Sequence, residues 1–367
     1  MKQTLMLITV AALLATGCAG QKIVSPQDAV DGLKLKDYEP VSVFKVEEHH
    51  PAAARFAAID LHSHAYRKDE AGIREWVRIL DENNIEKVVV HTGAWGEEFD
   101  RLYDLFTGIS DKFEPWCGFD MTKWDEPEFP AFAVAELERC HAKGAGGVGE
   151  LIDKGLGEKI SRTVREPGLH FNDPKFDALF EKCAELGMPV SIHSGDPVWM
   201  YEPMDAHNDG LMNAKEWRID LSTPGILDLD EVVNAFVECV ERHPNTTFIA
   251  CHLININHDY ARLGAILDAH PNLWIDISAR HQETCVTPRA TRRFYERYQD
   301  RILFGTDNDP VPEMYHDQWR ILETEDEHFY LQEQSYHWPM QGIGLPDPVL
   351  RKIYHDNAAR LLSSRRR

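Results

Sequence analysis

The chain has 367 residues, 43% of them hydrophobic, so it can bury the core of two ordinary domains or of one large α/β barrel. Its 39 basic and 61 acidic side chains give a net charge of −22, which repels phosphate backbones and anionic lipid head groups. This charge argues against nucleic acid as a partner.

The N-terminus has the pattern of an export signal: Lys2 precedes an apolar stretch over residues 5–15, and small residues follow. The segment Leu14-Ala15-Thr16-Gly17-Cys18 resembles a bacterial lipoprotein box, although its Leu stands one place further from the cysteine than usual. We predict that residues 1–20 are the signal of an exported bacterial protein and that Cys18 carries a lipid anchor, in the periplasm or at the outer surface. Cleavage without lipidation and a retained membrane anchor are the alternatives.

Residues 21–54 combine charges with three prolines and little periodicity, which predicts a tether and an N-terminal covering segment. From there the folded body runs over residues 55–367. Six further cysteines lie within it at irregular spacing, inside apolar patterns. They are therefore predicted to be buried free thiols.

Eight short apolar runs follow one another along the folded body. They span residues 56–62, 87–92, 114–119, 146–151, 189–193, 247–252, 273–278 and 301–305. Between them, apolar residues recur at helical spacing, and strands that alternate with helices pair in parallel. Eight such units over about 250 residues predict an α/β fold of the (β/α)8 TIM-barrel type. An open doubly wound sheet is the alternative.

Asp60-Leu61-His62-Ser63-His64 ends the first predicted strand. Successive strand side chains point to opposite faces, so the two imidazoles leave the same face about 6 to 7 Å apart. Imidazole is a preferred ligand of zinc and related divalent ions. We therefore predict that His62 and His64 chelate one ion, with Asp60 in a supporting position.

Polar side chains also end four other strands: Glu150, His193, His252 and Asp307. Any one of them alone is more often a hydrogen-bonded core residue or a helix cap. In a barrel, however, all carboxyl ends converge on one mouth. The set is therefore interpreted as one convergent site, and this convergence favours the barrel over the open sheet.

The ordered set HxH, Glu, His, His, Asp resembles the amidohydrolase superfamily of metal-dependent barrels, in the amidohydrolase-related branch that also contains decarboxylases. The resemblance covers residues 56–363 and includes the segments 171–174, 187–193 and 353–362. It implies that His62, His64, His193 and Asp307 bind a divalent metal, most often zinc, with manganese as the alternative.

The resemblance also implies catalytic roles. Asp307 accepts the proton of a metal-activated water and passes it to the leaving group. His252 either binds a second metal or polarises the substrate and stabilises the oxyanion. Glu150 is a ligand in two-metal members and in TatD-like nucleases, whereas many single-metal members have no ligand there. The sequence favours one ion over two.

Features of the predicted mouth suggest how a substrate is held. Arg280 follows the seventh strand and offers a bidentate fork for a substrate carboxylate, with a surface ion pair as the alternative. The long connection 195–227 carries Trp199 and Tyr201, which are expected in a substrate wall, and residues 309–341 could form the opposite wall.

The sequence therefore predicts a metal-dependent hydrolase that cleaves an amide, lactone or ester bond of a small molecule. A metal-dependent non-oxidative decarboxylase of an aromatic or enol acid is the first alternative. A TatD-like nuclease and a non-catalytic ligand-binding lipoprotein are further ones. The oligomeric state stays open, a homodimer included.

Overall fold

The computed structural model describes residues 30–157, 168–331 and 336–363, so the predicted export signal and Cys18 lie outside the described residues. The described residues fall into two units, which divide between Tyr38 and Glu39. Within the first, the described residues include a 3-10 turn at Leu35–Asp37. Across the described ranges, no helix is both long enough and apolar enough to cross a membrane.

Eight strands in the second unit each overlap one of the eight predicted runs. They are β1 Ala58–His64, β2 Ile85–His91, β3 Phe113–Trp116, β4 Val148–Asp153, β5 Val190–Ser194, β6 Phe248–Ala250, β7 Leu273–Asp276 and β8 Ile302–Leu303. Their side chains are mostly buried, as expected of strands covered by helices on the outside and packed against one another on the inside.

Helices alternate with these strands. They are α1 Glu70–Glu82, α2 Gly96–Ile109, α3 Phe129–Lys143, α4 Asp177–Leu186, α5 Leu211–Trp217, α6 Leu229–Arg242, α7 Tyr260–Ala269, α8 His281–Thr284, α9 Pro288–Arg297, α10 Pro312–Glu323, α11 Asp347–Arg351 and α12 Asn357–Ser363. Local sequence sets their starts. For example, Asp228 and Glu231 form a capping box that begins α6, which then buries one apolar face.

All strand pairs are parallel, in the orders β1-β2-β3 and β4-β5-β6-β7-β8. Backbone hydrogen bonds join the two sheets at both seams. Cys117 N donates to Gly147 O at 3.1 Å, and Leu61 N donates to Phe304 O at 2.9 Å. The eight strands thus form a ring with helices outside, and the predicted (β/α)8 barrel is confirmed. The six described cysteines are buried and free, as predicted.

The carboxyl ends of β6, β7 and β8 carry unusual backbone. Residues His252 to Asn255 have φ between 56° and 58°, and Ala279 and Asp307 have φ of 50° and 49°. This region is strained for residues other than glycine. The left-handed turn explains why β6 ends at Ala250, two residues before the predicted end. It also sets the direction in which the His252 side chain leaves the barrel.

Candidate metal centre

The first strand delivers its two histidines to the barrel mouth as predicted. His62 is fully buried and the His64 side chain is 30% exposed, with ring centroids 5.4 Å apart. Nε2 of His64 lies 3.1 Å from Asp307 Oδ1, and Nε2 of His62 lies 3.8 Å from the same atom. The first and eighth strands therefore bring their polar side chains together.

Glu150 lies in the middle of the cluster, and only 4% of its side chain is exposed. Its Oε1 lies 3.1 Å from His193 Nδ1, 3.2 Å from His252 Nε2 and 3.5 Å from His62 Nε2. Its Oε2 lies 3.5 Å from His64 Nε2. Burial opposes ionisation of Glu150, yet His62 and His193 hold the pKa of its carboxyl well below the usual range. Glu150 therefore contacts all four imidazoles.

Asp307 is the more accessible carboxylate of the pair, with 22% of its side chain exposed. Its Oδ1 accepts a hydrogen bond from the Tyr66 hydroxyl at 3.1 Å, and its Oδ2 lies 3.7 Å from His252 Nε2. Burial opposes ionisation here as well, but the neighbouring imidazoles, His62 first, keep the pKa of Asp307 below its usual range.

Each of the four imidazoles has a hydrogen-bond acceptor outside the cluster. His62 Nδ1 lies 2.9 Å from Asp276 Oδ2, and His193 Nε2 lies 3.2 Å from Asp196 Oδ1. Backbone carbonyl oxygens anchor the other two rings: His91 O lies 3.2 Å from His64 Nδ1, and Ser278 O lies 2.9 Å from His252 Nδ1.

Carboxylate and carbonyl oxygens only accept hydrogen bonds, so each outer ring nitrogen can donate its N–H to its anchor. The inner nitrogens of the four rings then face the two carboxylates, where either protons or a cation can offset the negative charge. Burial lowers the pKa of His62, but Asp276, Glu150 and Asp307 together raise it to about 9. A cation in place of that proton would satisfy the same electrostatics.

The spacing of the donor atoms shows whether a divalent ion fits among them. Donor atoms of His62, His64 and Asp307 lie within 4.8 Å of one another, and so do those of His62, Glu150 and His252. His62 Nε2 is buried and has no hydrogen-bond partner among the described residues. Nitrogen and carboxylate ligands with anchored imidazoles are typical of zinc centres, so the residues present fit the ion.

Asp60 has the supporting position that the sequence predicted, but it supports backbone rather than an imidazole. Its Oδ1 accepts from the backbone N–H groups of His62 and Thr306, each at 3.1 Å, and its Oδ2 accepts from the Thr306 hydroxyl at 2.6 Å. Burial raises the pKa of Asp60 to about 7. Asp60 therefore ties the end of β1 to the end of β8.

A cavity of about 430 Å³ opens above the cluster. His193, His252 and Asp307 reach it from the cluster. The other lining residues come from strand ends and from both long connections: Tyr66, Lys154, Asp196, Met200, Asn213, Trp217, Ala279, Arg280, Gln282, Asn308 and Tyr336. The cavity has the size of a small-molecule site.

The three substrate-side residues predicted from the sequence have different positions. Arg280 lines the cavity and is itself buried, and its guanidinium donates to Asn255 Oδ1 and Ala279 O. Trp199 packs against Tyr336, with ring centroids 6.2 Å apart. The Tyr201 hydroxyl accepts a hydrogen bond from the Asp196 backbone N–H at 3.1 Å, so it lies behind the cavity wall.

Sequence reasoning missed several residues of this site. Asp276 ends β7 and anchors His62, Asp196 follows β5 and anchors His193, and Lys154 follows β4. His91 ends β2 with its ring centroid 4.6 Å from that of His62, and burial lowers its pKa well below the usual value. His91 and Asp276 carry the same signal as the predicted residues, namely a polar side chain at the end of an apolar strand.

Comparisons with known proteins agree with this geometry. A family model described as amidohydrolase matches residues 119–363. A protein from Staphylococcus aureus assigned as an amidohydrolase has a similar structure, with a TM-score of 0.54 and 15% identity, over 83% of this chain and 99% of that one.

Two further solved structures are similar in fold. They are 2,6-dihydroxybenzoate decarboxylase from Rhizobium (TM-score 0.52, 16% identity, 84% of this chain and 99% of that one) and a protein from Pseudomonas putida assigned as a 2-pyrone-4,6-dicarboxylic acid hydrolase (TM-score 0.52, 12% identity, 84% and 98%). No curated protein sequence matches the chain.

Proposed function

Because the chain belongs to the amidohydrolase family, whose members are metal-dependent enzymes, we propose that it hydrolyses an amide, lactone or ester bond of a small molecule. The match of the family model confirms the family resemblance seen in the sequence. The observation that carries the proposal is the convergence of four imidazoles and two carboxylates at the floor of a small-molecule cavity.

We propose two ions rather than the single ion that the sequence favoured. Zinc takes about four ligands, and six protein donors exceed what one such ion uses. His62, His64 and Asp307 form one group of close donors, and His62, Glu150 and His252 form another, with His193 Nδ1 3.1 Å from both Glu150 Oε1 and His252 Nε2. Zinc is the proposed ion and manganese is the alternative. Such ions act as Lewis acids that polarise a carbonyl group and acidify nearby water.

Asp307 is the proposed general base and acid. It borders the cavity, its carboxylate is kept ionised by the neighbouring imidazoles, and the Tyr66 hydroxyl holds one of its oxygens. A carboxylate at this position can accept a proton from water and return it to the leaving group.

The contacts of His252 favour one of its two predicted roles. Its Nδ1 lies 2.9 Å from the Ser278 carbonyl oxygen and its Nε2 lies 3.2 Å from Glu150 Oε1, inside the donor set. We therefore propose that His252 is a metal ligand. The Arg280 guanidinium lines the cavity, and it is the proposed contact for a substrate carboxylate.

Elemental analysis and turnover test this proposal together. Purified protein should contain close to two divalent ions per chain and should hydrolyse at least one member of a panel of lactones, esters and amides of small carboxylic acids. Chelation should abolish this turnover and added zinc should restore it. Full activity of metal-stripped His193→Ala protein would contradict the mechanism.

Non-oxidative decarboxylation is the second candidate function, and the position of Arg280 favours it. Arg280 brings a cation to the cavity that His252 and Asp307 also border, so an aromatic acid can be held with its carboxylate close to the cluster. The similar fold of the Rhizobium decarboxylase agrees with this alternative. Assay of carbon dioxide release on the same panel separates the two, because hydrolysis releases none.

We also propose that the protein is exported and lipid-anchored at Cys18, as the N-terminal pattern predicts. Mass spectrometry of the membrane fraction tests it: the mature chain should begin at a diacylated Cys18, and Cys18→Ser protein should lose membrane association. An intact N-terminus starting at Met1 would contradict it.

A further inference from the structure

His193 differs from the other three imidazoles of the cluster in how it is anchored. His62, His64 and His252 are held by Asp276 and by two backbone carbonyls next to the strand ends. The anchor of His193 is instead the side chain of Asp196, which belongs to the turn after β5 and borders the cavity. Its position therefore depends on whatever holds Asp196.

Lys154 is the main side chain that holds Asp196. Its Nζ lies 2.8 Å and 2.9 Å from the two carboxylate oxygens, and the two side chains are only 15% and 5% exposed. Low exposure on both sides makes this pair stronger than a surface ion pair.

Two further contacts fix the pair. The Asp196 backbone N–H donates to the Tyr201 hydroxyl, and Lys154 Nζ lies 5.2 Å from the centroid of the Trp217 ring. Between His193 and Asp196, Gly195 adopts φ of 71°, and a Cβ there would lie 2.7 Å from Leu229 Cδ1. Glycine permits the turn that brings Asp196 back onto His193.

We propose that Lys154 is a positioning residue of the metal centre: it holds Asp196, which accepts from Nε2 of His193 and so turns the Nδ1 atom of that ring into the cluster. Lys154 is placed for this role because it follows Glu150 by four residues, so the end of one strand carries both. The inference rests on the proposed function in one respect, namely that His193 is a metal ligand.

Zinc titration of the chelator-stripped protein by calorimetry tests the proposal without a substrate. Lys154→Met and Asp196→Asn should each weaken zinc binding by about 10-fold to 100-fold, as loss of a ligand's supporting partner does. Lys154→Arg keeps a cation that can pair with Asp196 and should bind within about threefold of wild type. Lys182→Met is the matched control, because Lys182 pairs with Glu138 and Glu185 on the helix surface.

The tautomer of His193 gives a second readout that a merely structural role would not move. In ¹⁵N-histidine-labelled, metal-free protein at a pH where His193 is neutral, the His193 signals should show the proton on Nε2 in wild type and a mixture of tautomers in Lys154→Met. Thermal melting of each metal-free variant checks its fold. If Asp196→Asn fails to fold, the zinc affinity and the His193 tautomer of Lys154→Met test the positioning role.

The outcomes separate the two proposals. If wild type and Lys154→Met bind zinc equally tightly and show the same His193 tautomer, the positioning role is overturned. The proposed metal centre is not affected by that result. Wild-type protein that binds no divalent ion would overturn the proposed function and the positioning role together.

Discussion

The barrel mouth combines two regions of different construction, the ligand cluster and the cavity wall above it. The cluster is built at strand ends, and each of its imidazoles is held from outside by an acceptor. The wall is built from long connections, and side-chain contacts such as Trp199 on Tyr336 and Trp338 hold it together. Under the proposed function, we expect the strand ends to supply the chemistry and the connections to contact the substrate.

Asp307→Asn should show the largest effect, because it removes the proposed proton acceptor of the cluster. We expect kcat to fall by about 100-fold to 10,000-fold. Circular dichroism should report an unchanged fold. Initial rates on the substrate identified from the panel measure the loss, and wild-type rates in this variant would place the base elsewhere.

Glu150→Gln tests the centre of the cluster. The substitution keeps the size of the side chain but removes the charge that faces four imidazoles, so we expect the second ion to be lost and zinc affinity to fall by more than about 100-fold. Elemental analysis and calorimetry measure both. Glu136→Gln is a control, since Glu136 bonds to Arg139 on α3. Two tightly bound ions in Glu150→Gln would exclude it as a ligand.

Asp276→Asn tests the anchor of His62. An amide can still accept hydrogen bonds but carries no charge, so zinc affinity should fall by about 10-fold to 100-fold. Asp60→Asn is the informative comparison, because Asp60 bonds to backbone N–H groups and to Thr306. That variant should melt at a lower temperature yet bind zinc within about twofold of wild type. Equal zinc affinities in the two variants would contradict the assignment of Asp276 to an imidazole and of Asp60 to the backbone.

Arg280→Gln tests the contribution of the cavity wall to substrate binding. Hydrogen bonds to a charged partner contribute about 1.5–3 kcal/mol, so KM for a carboxylate substrate should rise by roughly 10-fold to 100-fold. The corresponding methyl ester should show no such change. A loss of kcat with unchanged KM would assign Arg280 to the chemistry instead.

Trp199→Phe should have the smallest effect. The variant keeps an aromatic ring but loses the hydrogen bond that Nε1 donates to Asn213 at 3.0 Å, so stability should fall by about 0.5–1.5 kcal/mol. Urea denaturation measures this change. Zinc affinity and kcat should stay at wild-type values, and a drop in zinc affinity would show that the wall also supports the cluster.

Much of the fold could be predicted from the sequence because parallel buried strands appear as compact apolar runs. The alternation within a strand also placed His62 and His64 on one face. The ends of β6 and β8 were harder to predict. His252 and Asp307 lie in left-handed backbone after the last strand residue, and neither position carries the glycine that would have signalled it.

Contacts across the barrel could not be predicted, since they depend on three-dimensional proximity. His62 and Asp276 are 214 positions apart in the chain, and Glu150 and His252 are 102 apart. The sequence identified Glu150 as the residue on which the number of ions depended, but it could not show that one carboxylate reaches imidazoles from three strands. Tyr201 was expected at the substrate, whereas it supports Asp196.

The left-handed turn after β6 restricts how the protein can diverge. At its start His252 faces the ligand cluster, and at its end the Asn255 side chain accepts from Arg280 and donates to the backbone of Ser194 and Gly195. An insertion or deletion within these four residues would shift a metal ligand and the cavity's arginine at the same time. Lineages that acquire new substrates should therefore vary the connections 195–227 and 309–341 and keep the length of this turn.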